Sequence, residues 1–306
     1  MAYASAGSIE AAHYNGFVTS LNAVWGVGSG VRGIGQTTTL AAVSATDSVT
    51  ASQWATLLTR LKALSDHQGN DGNITIDSVA NPSAGDSIAI IANIATDIGT
   101  LDTSAALSAV AGYGSAITDT AVVSGNFKVT ITQTNTLTFA SADQMRTFFN
   151  AGGKAEISWG LSGHTSDSKA NEWAALATEC GTWTMSGATS SKVGGSATGT
   201  VSQSITTGFA GLNGTPAQMF KQTQNTSPYT ANYMQVLGSF SGAVLTLTSI
   251  WQDDATDSAY HSATNTNLDI VNGTKTTTFV VTPAVTTYVA DTWGTPTWST
   301  TVNTES

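Results

Sequence analysis

The chain has 306 residues, 41% of them hydrophobic and only 10% charged, with a formal net charge of −10. Ten Lys and Arg residues in all offer no basic patch for a nucleic-acid backbone or an anionic membrane surface. A single cysteine excludes an internal disulfide and a cysteine-based zinc site, and no stretch reaches the ~20 apolar residues that a membrane span needs.

The opening "MAYASAGSIEAAHYNGF" has neither a basic region nor an apolar core, so no signal peptide and a reducing cytosol are expected. The first hundred or so residues read as helical. Tyr14, Phe17, Leu21, Val24 and Trp25 recur at helical spacing, and the glycine-rich stretch "WGVGSGVRGIG" (25–35) ends that helix. Thr50 with Gln53 three residues on forms a capping-box pattern that opens a second helix. Trp54, Leu57, Leu58, Leu61 and Leu64 follow at the right period, and Gly69 closes the run. A third helix is expected over roughly 87–110, with Ile91, Ile94, Ile98 and Leu101 aligned.

From about Val122 the period changes to two. "NFKVTITQTNTLTFA" alternates as half-buried strands do. "SADQMRTFFNAGG" reads as a short helix with Gly152 and Gly153 at its end, "KAEISWGLSG" as a strand, and "SKANEWAALATEC" as a helix with Trp173, Leu176 and Cys180 on one side. "GTWTMSG", "TVSQSITTGF", "NYMQVLGSF", "AVLTLTSIW" and "TKTTTFVVTP" are further strands, and "SGATSSKVGGSATGTV" reads as an exposed loop of low complexity. The expected fold is therefore α+β, mainly β: a short N-terminal helical region, then an antiparallel β-sandwich or jelly-roll-like domain with inserted short helices. Its expected divisions are a helical attachment region over 1–120, a sandwich-like domain over 121–282 and an extended C-terminal arm over 283–306. On this division a chain begun near Ala121 folds by itself.

Gly28, Gly30 and Gly33 match G-x-G-x-x-G, but the context fails. A phosphate cradle needs a strand before the glycines and a helix N-terminus after them, whereas here they follow a helix and precede "QTTTLAAVSATDSVT". They are expected instead to supply positive φ and room for a neighbouring backbone in a hinge or close-packed loop. His13, His67, His164 and His261 stand in no zinc-hydrolase spacing, and neither G-x-S-x-G nor a P-loop occurs. Asp253, Asp254, Asp257 and His261 form the densest acidic cluster, read as a solvated turn with an oxygen-ligated ion as the alternative. The carboxylate pairs Asp66/Asp71 and Glu172/Glu179 suit glycoside hydrolysis in kind, but sequence does not fix the distance within either pair, and helix-surface or loop positions explain them equally well. Trp159, Trp173 and Trp183 invite a sugar-stacking reading, but each fits an apolar position in its own strand or helix, and core packing is the default. No catalytic, cofactor or metal residue is assigned.

The segments "YNGFVTSLNAVWGVGSGVRGIGQT", "VTASQWATLLTRLKALSDHQG", "TLTFASADQMRTFFNAGGKAEISWGLSG" and "SKANEWAALATECGTWTMSG" occur in that order. Together they resemble a family of virion structural proteins of tailed bacteriophages, described as tail, tail-fibre or neck-associated and common in phages of aquatic bacteria. The resemblance extends to about residue 280, and "FASADQMRTFFNAGGKAEIS" is its most specific element. It implies a non-enzymatic particle component assembled in the host cytoplasm, with other phage structural proteins as partners and a homo-oligomer, trimer or ring, as its working state. A receptor-binding adhesin for host surface glycan is the runner-up, and a polysaccharide depolymerase comes third. The assembly interface is expected to use Trp25, Gly28, Gly30, Arg32, Gly33, Trp54, Trp293 and Trp298, with Arg32 reaching an acidic partner subunit.

Overall fold

Thr50 and Gln53 make the reciprocal cap that their spacing predicts. In a computed structural model of the chain, the Gln53 amide donates to the Thr50 hydroxyl oxygen at 3.3 Å and the Gln53 side chain accepts from the Thr50 N–H at 2.8 Å. The structure describes residues 11–69, 74–81, 83, 91–104, 110–196, 199–203, 207–255 and 270–305. The chain divides into two units: 1–115 with 143–153 and 283–294, and 116–142 with 154–282 and 295–306.

The first unit holds helices α1 (Ala11–Trp25), α2 (Ala51–His67) and α3 (Ile91–Ser104). Their apolar stripes meet in one core: Tyr14, Val18, Leu21 and Val24 from α1, Trp54, Leu57, Leu58, Leu61 and Leu64 from α2, and Ile94, Ile98 and Leu101 from α3 are buried. Expected helix ends at 87–90 and 105–109 lie outside the described residues. Helix α4 (Ala142–Asn150) joins this unit from Asp143 onward. It ends as its glycines dictate. Gly152 N–H bonds the Phe149 carbonyl at 3.0 Å and Gly153 N–H the Phe148 carbonyl at 2.9 Å, with Gly152 at φ 97°.

His67, at the end of α2, is buried, and its Nε2 lies 2.9 Å from the Ala151 carbonyl, so it donates there as a neutral ring. Burial holds its pKa below the ordinary 6.5, against the opposing pull of that carbonyl. Below pH 6.5 the unfolded ring takes up a proton that the folded ring resists. Stability of the first unit is therefore expected to be full above that pH and to fall as the pH drops below it. Amide exchange of α2 measured at pH 7.5 and 5 checks this, and His67→Gln should flatten the difference.

The second unit is an antiparallel sandwich. Its strands are β1 (Ile117–Ser124), β2 (Thr130–Thr138), β3 (Lys154–Ser162), β4 (Thr182–Met185), β5 (Ser190–Val193), β6 (Val201–Gln203), β7 (Ala217–Thr223), β8 (Tyr233–Ser241), β9 (Val244–Gln252), β10 (Thr274–Thr282) and β11 (Thr297–Glu305). One sheet runs β1-β10-β3-β4-β5 and the other β11-β2-β9-β8-β7-β6. Alternation fixes the faces: along β2, Ile131, Gln133, Asn135 and Leu137 are buried while Thr130, Thr132, Thr134 and Thr136 stand on the outer face. Helix α5 (Ser168–Glu179), capped by the Asp167 carboxylate accepting from Ala170 N–H at 2.8 Å, lays Trp173 on Trp251 and Phe127, with ring centroids 5.9 and 5.3 Å apart. The fold is α+β and mainly β, as expected.

Several details differ from the sequence expectations, among them the unexpected strands β1 and β7. The low-complexity loop contains a strand, β5, paired with β4 across Thr182–Met185. Residues 283–306 are no free arm: 283–294 belong to the first unit, and β11 pairs with β2 along its whole length. Ala121 lies inside β1, and the first unit also takes in 143–153, so no single cut near residue 120 separates the two units.

Cys180 is fully buried, with its thiol 3.6 Å from the Met234 sulfur, and burial pushes its pKa well above the ordinary thiol range. An Ellman assay is expected to detect no thiol in the native protein and one after denaturation.

Candidate functional site

The glycine-rich loop after α1 is built by backbone geometry that only glycine adopts without strain. Gly28, Gly30, Gly33 and Gly35 have φ of 57°, 59°, 92° and 80°. A Cβ on Gly28 would sit 2.6 Å from the Arg32 carbonyl oxygen and 2.7 Å from that of Ala23. One on Gly33 would enter the Val27 carbonyl group and stand 2.7 Å from the Gly28 nitrogen. Gly30 is different, with nothing within 4 Å. The loop returns onto α1 through Ile34 N–H to Val24 O at 3.0 Å and Gly35 N–H to Gly26 O at 2.8 Å.

Its carbonyls need donors, and α4 supplies them. Arg146 donates from Nη1 to the Arg32 carbonyl at 2.7 Å and from Nη2 to the Val27 carbonyl at 2.6 Å. Asn150, one turn later on the same face, places Nδ2 within 3.1 Å of the Gly30 and Arg32 carbonyls and 3.2 Å of the Gly33 carbonyl. The Arg146 guanidinium also bonds Asp143 at 3.2 Å. The glycine loop thus presents carbonyl oxygens inward to an arginine and an amide, the reverse of a phosphate cradle, which presents N–H groups to an anion.

Three further amides bind backbone as a neighbouring strand would. Asn15 holds both polar groups of Val43 at 2.8 Å, Asn22 those of Leu40 at 2.9 Å, and Gln36 those of Ala290 at 2.8 and 2.9 Å. Asn15 and Asn22 are two turns apart on α1, which explains how "QTTTLAAVS" is held extended without a sheet.

The residues expected at an assembly interface do not form one exposed surface. Trp25, Trp54 and Trp293 are buried, at 6%, 0% and 2% exposure. Trp25 donates Nε1 to the Thr38 carbonyl at 3.2 Å, and Trp54 meets the Tyr14 and Phe17 rings at 6.3 and 6.2 Å. They are core residues, since indoles on a helical stripe bury the largest apolar area available. Arg32 is paired within the chain, with the Asp102 carboxylate at 2.6 Å, in place of an acidic partner subunit. Trp298 belongs to the second unit and lies half-buried on the Phe279 ring at 6.4 Å. What the loop exposes is Val27 and Val31 at its tip, at 47% and 43%.

In the second unit the polar residues are absorbed by the sandwich interior. Trp159 Nε1 donates to Ser249 Oγ at 2.8 Å, Trp251 Nε1 to Thr277 Oγ1 at 3.2 Å, and the Thr277 hydroxyl to Gln133 Oε1. Lys169 on α5 pairs with Asp253 at 2.7 Å, both side chains almost wholly buried. Asp253 is therefore committed to an ammonium. Asp254 accepts from the Gln252 side chain at 2.8 Å, while Asp257 and His261 lie outside the described residues, as does Asp71. Lys275 is buried with Nζ on the carbonyls of Gly125, Val271 (2.7 Å) and Gly273 (3.2 Å). Among the described residues no group of three His, Cys, Asp or Glu side chains is placed to hold a metal ion, and no helix is long and apolar enough to cross a membrane.

Arg146 and Asn150 carry the site and were missed from sequence, where they stand more than a hundred residues from the loop they hold. Their i,i+4 spacing on a short amphipathic helix was the available signal. Comparison with known protein families, with curated proteins and with solved structures finds no match in any of the three.

Proposed function

We propose that the chain is a non-enzymatic structural component of a tailed bacteriophage particle, a tail-fibre or neck/tail-associated protein that acts through oligomeric assembly. One observation carries the reading. Two of the stretches on which the family resemblance rests, the glycine loop and "FASADQMRTFFNAGG", bind each other: Arg146 and Asn150 of the second satisfy the carbonyls of the first. Arg146 and Asn150 thereby hold the loop as a rigid element of the fold. The hydroxyl-rich outer face of β2 and the low content of charged residues agree with a protein that offers uncharged polar faces to neighbouring subunits.

The adhesin reading draws its strength from indoles available to stack on sugar, and Trp159, Trp173 and Trp183 are buried in the sandwich. Quantitative peptide mass spectrometry of gradient-purified particles tests the proposal. It predicts several copies of this chain per particle; a chain present in lysate and missing from particles would overturn it. Binding of the isolated protein to a glycan array or to host cells would favour the adhesin instead.

A further inference from the structure

An asparagine followed by glycine is open to attack by the next backbone nitrogen on its own side-chain amide, since glycine has no Cβ to crowd the ring that forms. The chain has three such dipeptides: Asn15-Gly16, Asn213-Gly214 and Asn272-Gly273. Their surroundings separate them. Asn15 lies in α1, where the Gly16 N–H is committed to the helix ladder, and both polar atoms of its side chain are held by Val43 at 2.8 Å. Asn272 is clamped likewise. Its Oδ1 accepts from the Thr165 N–H and its Nδ2 donates to the Thr165 hydroxyl, each at 2.8 Å. Gly273 beside it is closed in, its Cβ position 2.7 Å from the Ser162 carbonyl oxygen. Asn213 is exposed, in the loop before β7. Its carbonyl accepts from the Phe240 N–H at 2.9 Å and its Oδ1 from the Thr215 N–H at 2.8 Å. Among the described residues neither its Nδ2 nor the Gly214 N–H donates a hydrogen bond. A Cβ on Gly214 would meet only the Phe240 carbonyl oxygen, at 3.9 Å.

We infer that Asn213 is a self-modification site, at which the folded chain converts its own amide to aspartate and isoaspartate with water as the only co-reactant. Hydroxide takes the Gly214 amide proton, and that nitrogen attacks Asn213 Cγ. The N–Cγ bond forms and the Cγ–Nδ2 bond breaks. The departing nitrogen takes a proton from water and leaves as ammonia, which returns the hydroxide. Water then opens the resulting succinimide at one of its two carbonyls, giving aspartate or isoaspartate. Nothing is oxidised or reduced. The Thr215 N–H already sits on Oδ1, the oxygen that gathers charge as Cγ is attacked. Asn15 and Asn272 must each release two hydrogen bonds before they can react, so Asn213 is expected to convert faster by about tenfold or more. Each conversion adds one negative charge to the net −10. The isoaspartate form also lengthens the backbone by one methylene between the buried Leu212 and Gly214. Older molecules thus carry a different charge and a different loop before β7. The inference goes beyond the particle assignment and stands without it.

Ageing the native full chain at mildly alkaline pH, followed by peptide mapping that resolves asparagine, aspartate and isoaspartate, tests the inference. Asn213 is expected to convert first, while Asn15 and Asn272 stay as amides. In guanidinium chloride, where the clamps are gone, all three are expected to convert at similar rates. Gly214→Ala places its Cβ in open space at a position without positive φ, so it should fold as the wild type does. Its added Cβ crowds the ring, and conversion at Asn213 should slow by about tenfold. An Asn213 that persists in the native chain, an Asn15 or Asn272 that converts there as fast, or a Gly214→Ala protein that converts at the wild-type rate would each overturn the inference.

Discussion

Gly33→Ala is expected to destabilise the first unit by about 3 kcal/mol or more, whereas Gly30→Ala should cost only about 1 kcal/mol, the strain of a left-handed alanine. Both glycines lie at positive φ, so conformation alone does not separate them. Space does. The Gly33 Cβ would enter the Val27 carbonyl, which Arg146 Nη2 already holds at 2.6 Å, so the loop cannot yield without losing that bond. The Gly30 Cβ would point into open space. Urea denaturation followed by amide exchange of α1 and α2 separates the two variants. Equal effects would mean that glycine here serves φ alone.

Lys169→Ala should be comparably severe, at about 3–5 kcal/mol, because it leaves the Asp253 carboxylate buried without its counter-charge. The pair is 2.7 Å apart with side-chain exposures of 2% and 1%, and its position beneath α5 leaves water no access. The same physics predicts recovery. Replacing both partners with apolar residues, Lys169→Met with Asp253→Leu, removes two desolvated charges together and should restore most of the loss. Urea unfolding read by fluorescence of Trp173 and Trp251 measures both variants.

How much of this was legible in the sequence depended on whether each signal was local. The capping box at Thr50 and the leucine period of α2 specify that helix completely, and the alternation of "TITQTNTLT" specifies the faces of β2. β7 escaped because its register shift buries Met219 and Phe220 consecutively, so the period of two is broken where it is most needed. β5 escaped because Ser190–Val193 is held by its ladder to β4 and by little in its own composition. The glycine loop was legible as a loop that needs positive φ, and its exclusion as a phosphate cradle followed from its context. Its partner was not legible, since Arg146 and Asn150 reach it through tertiary structure alone. The tryptophans beside it were assigned to a surface for the same reason: nothing local distinguishes an indole that docks from one that fills a core.

The first unit is thus a helical core with a carbonyl-rich loop locked by its own chain, and the second a sandwich with a buried hydrogen-bonded chain from Trp251 through Thr277 to Gln133. Both arrangements are compatible with the rigid, repeated part proposed above. The most direct measurement is a cryo-EM map of the intact particle. Density for this chain is expected there in symmetry-related copies at the tail or neck. A particle complete in all its density without this chain would contradict it.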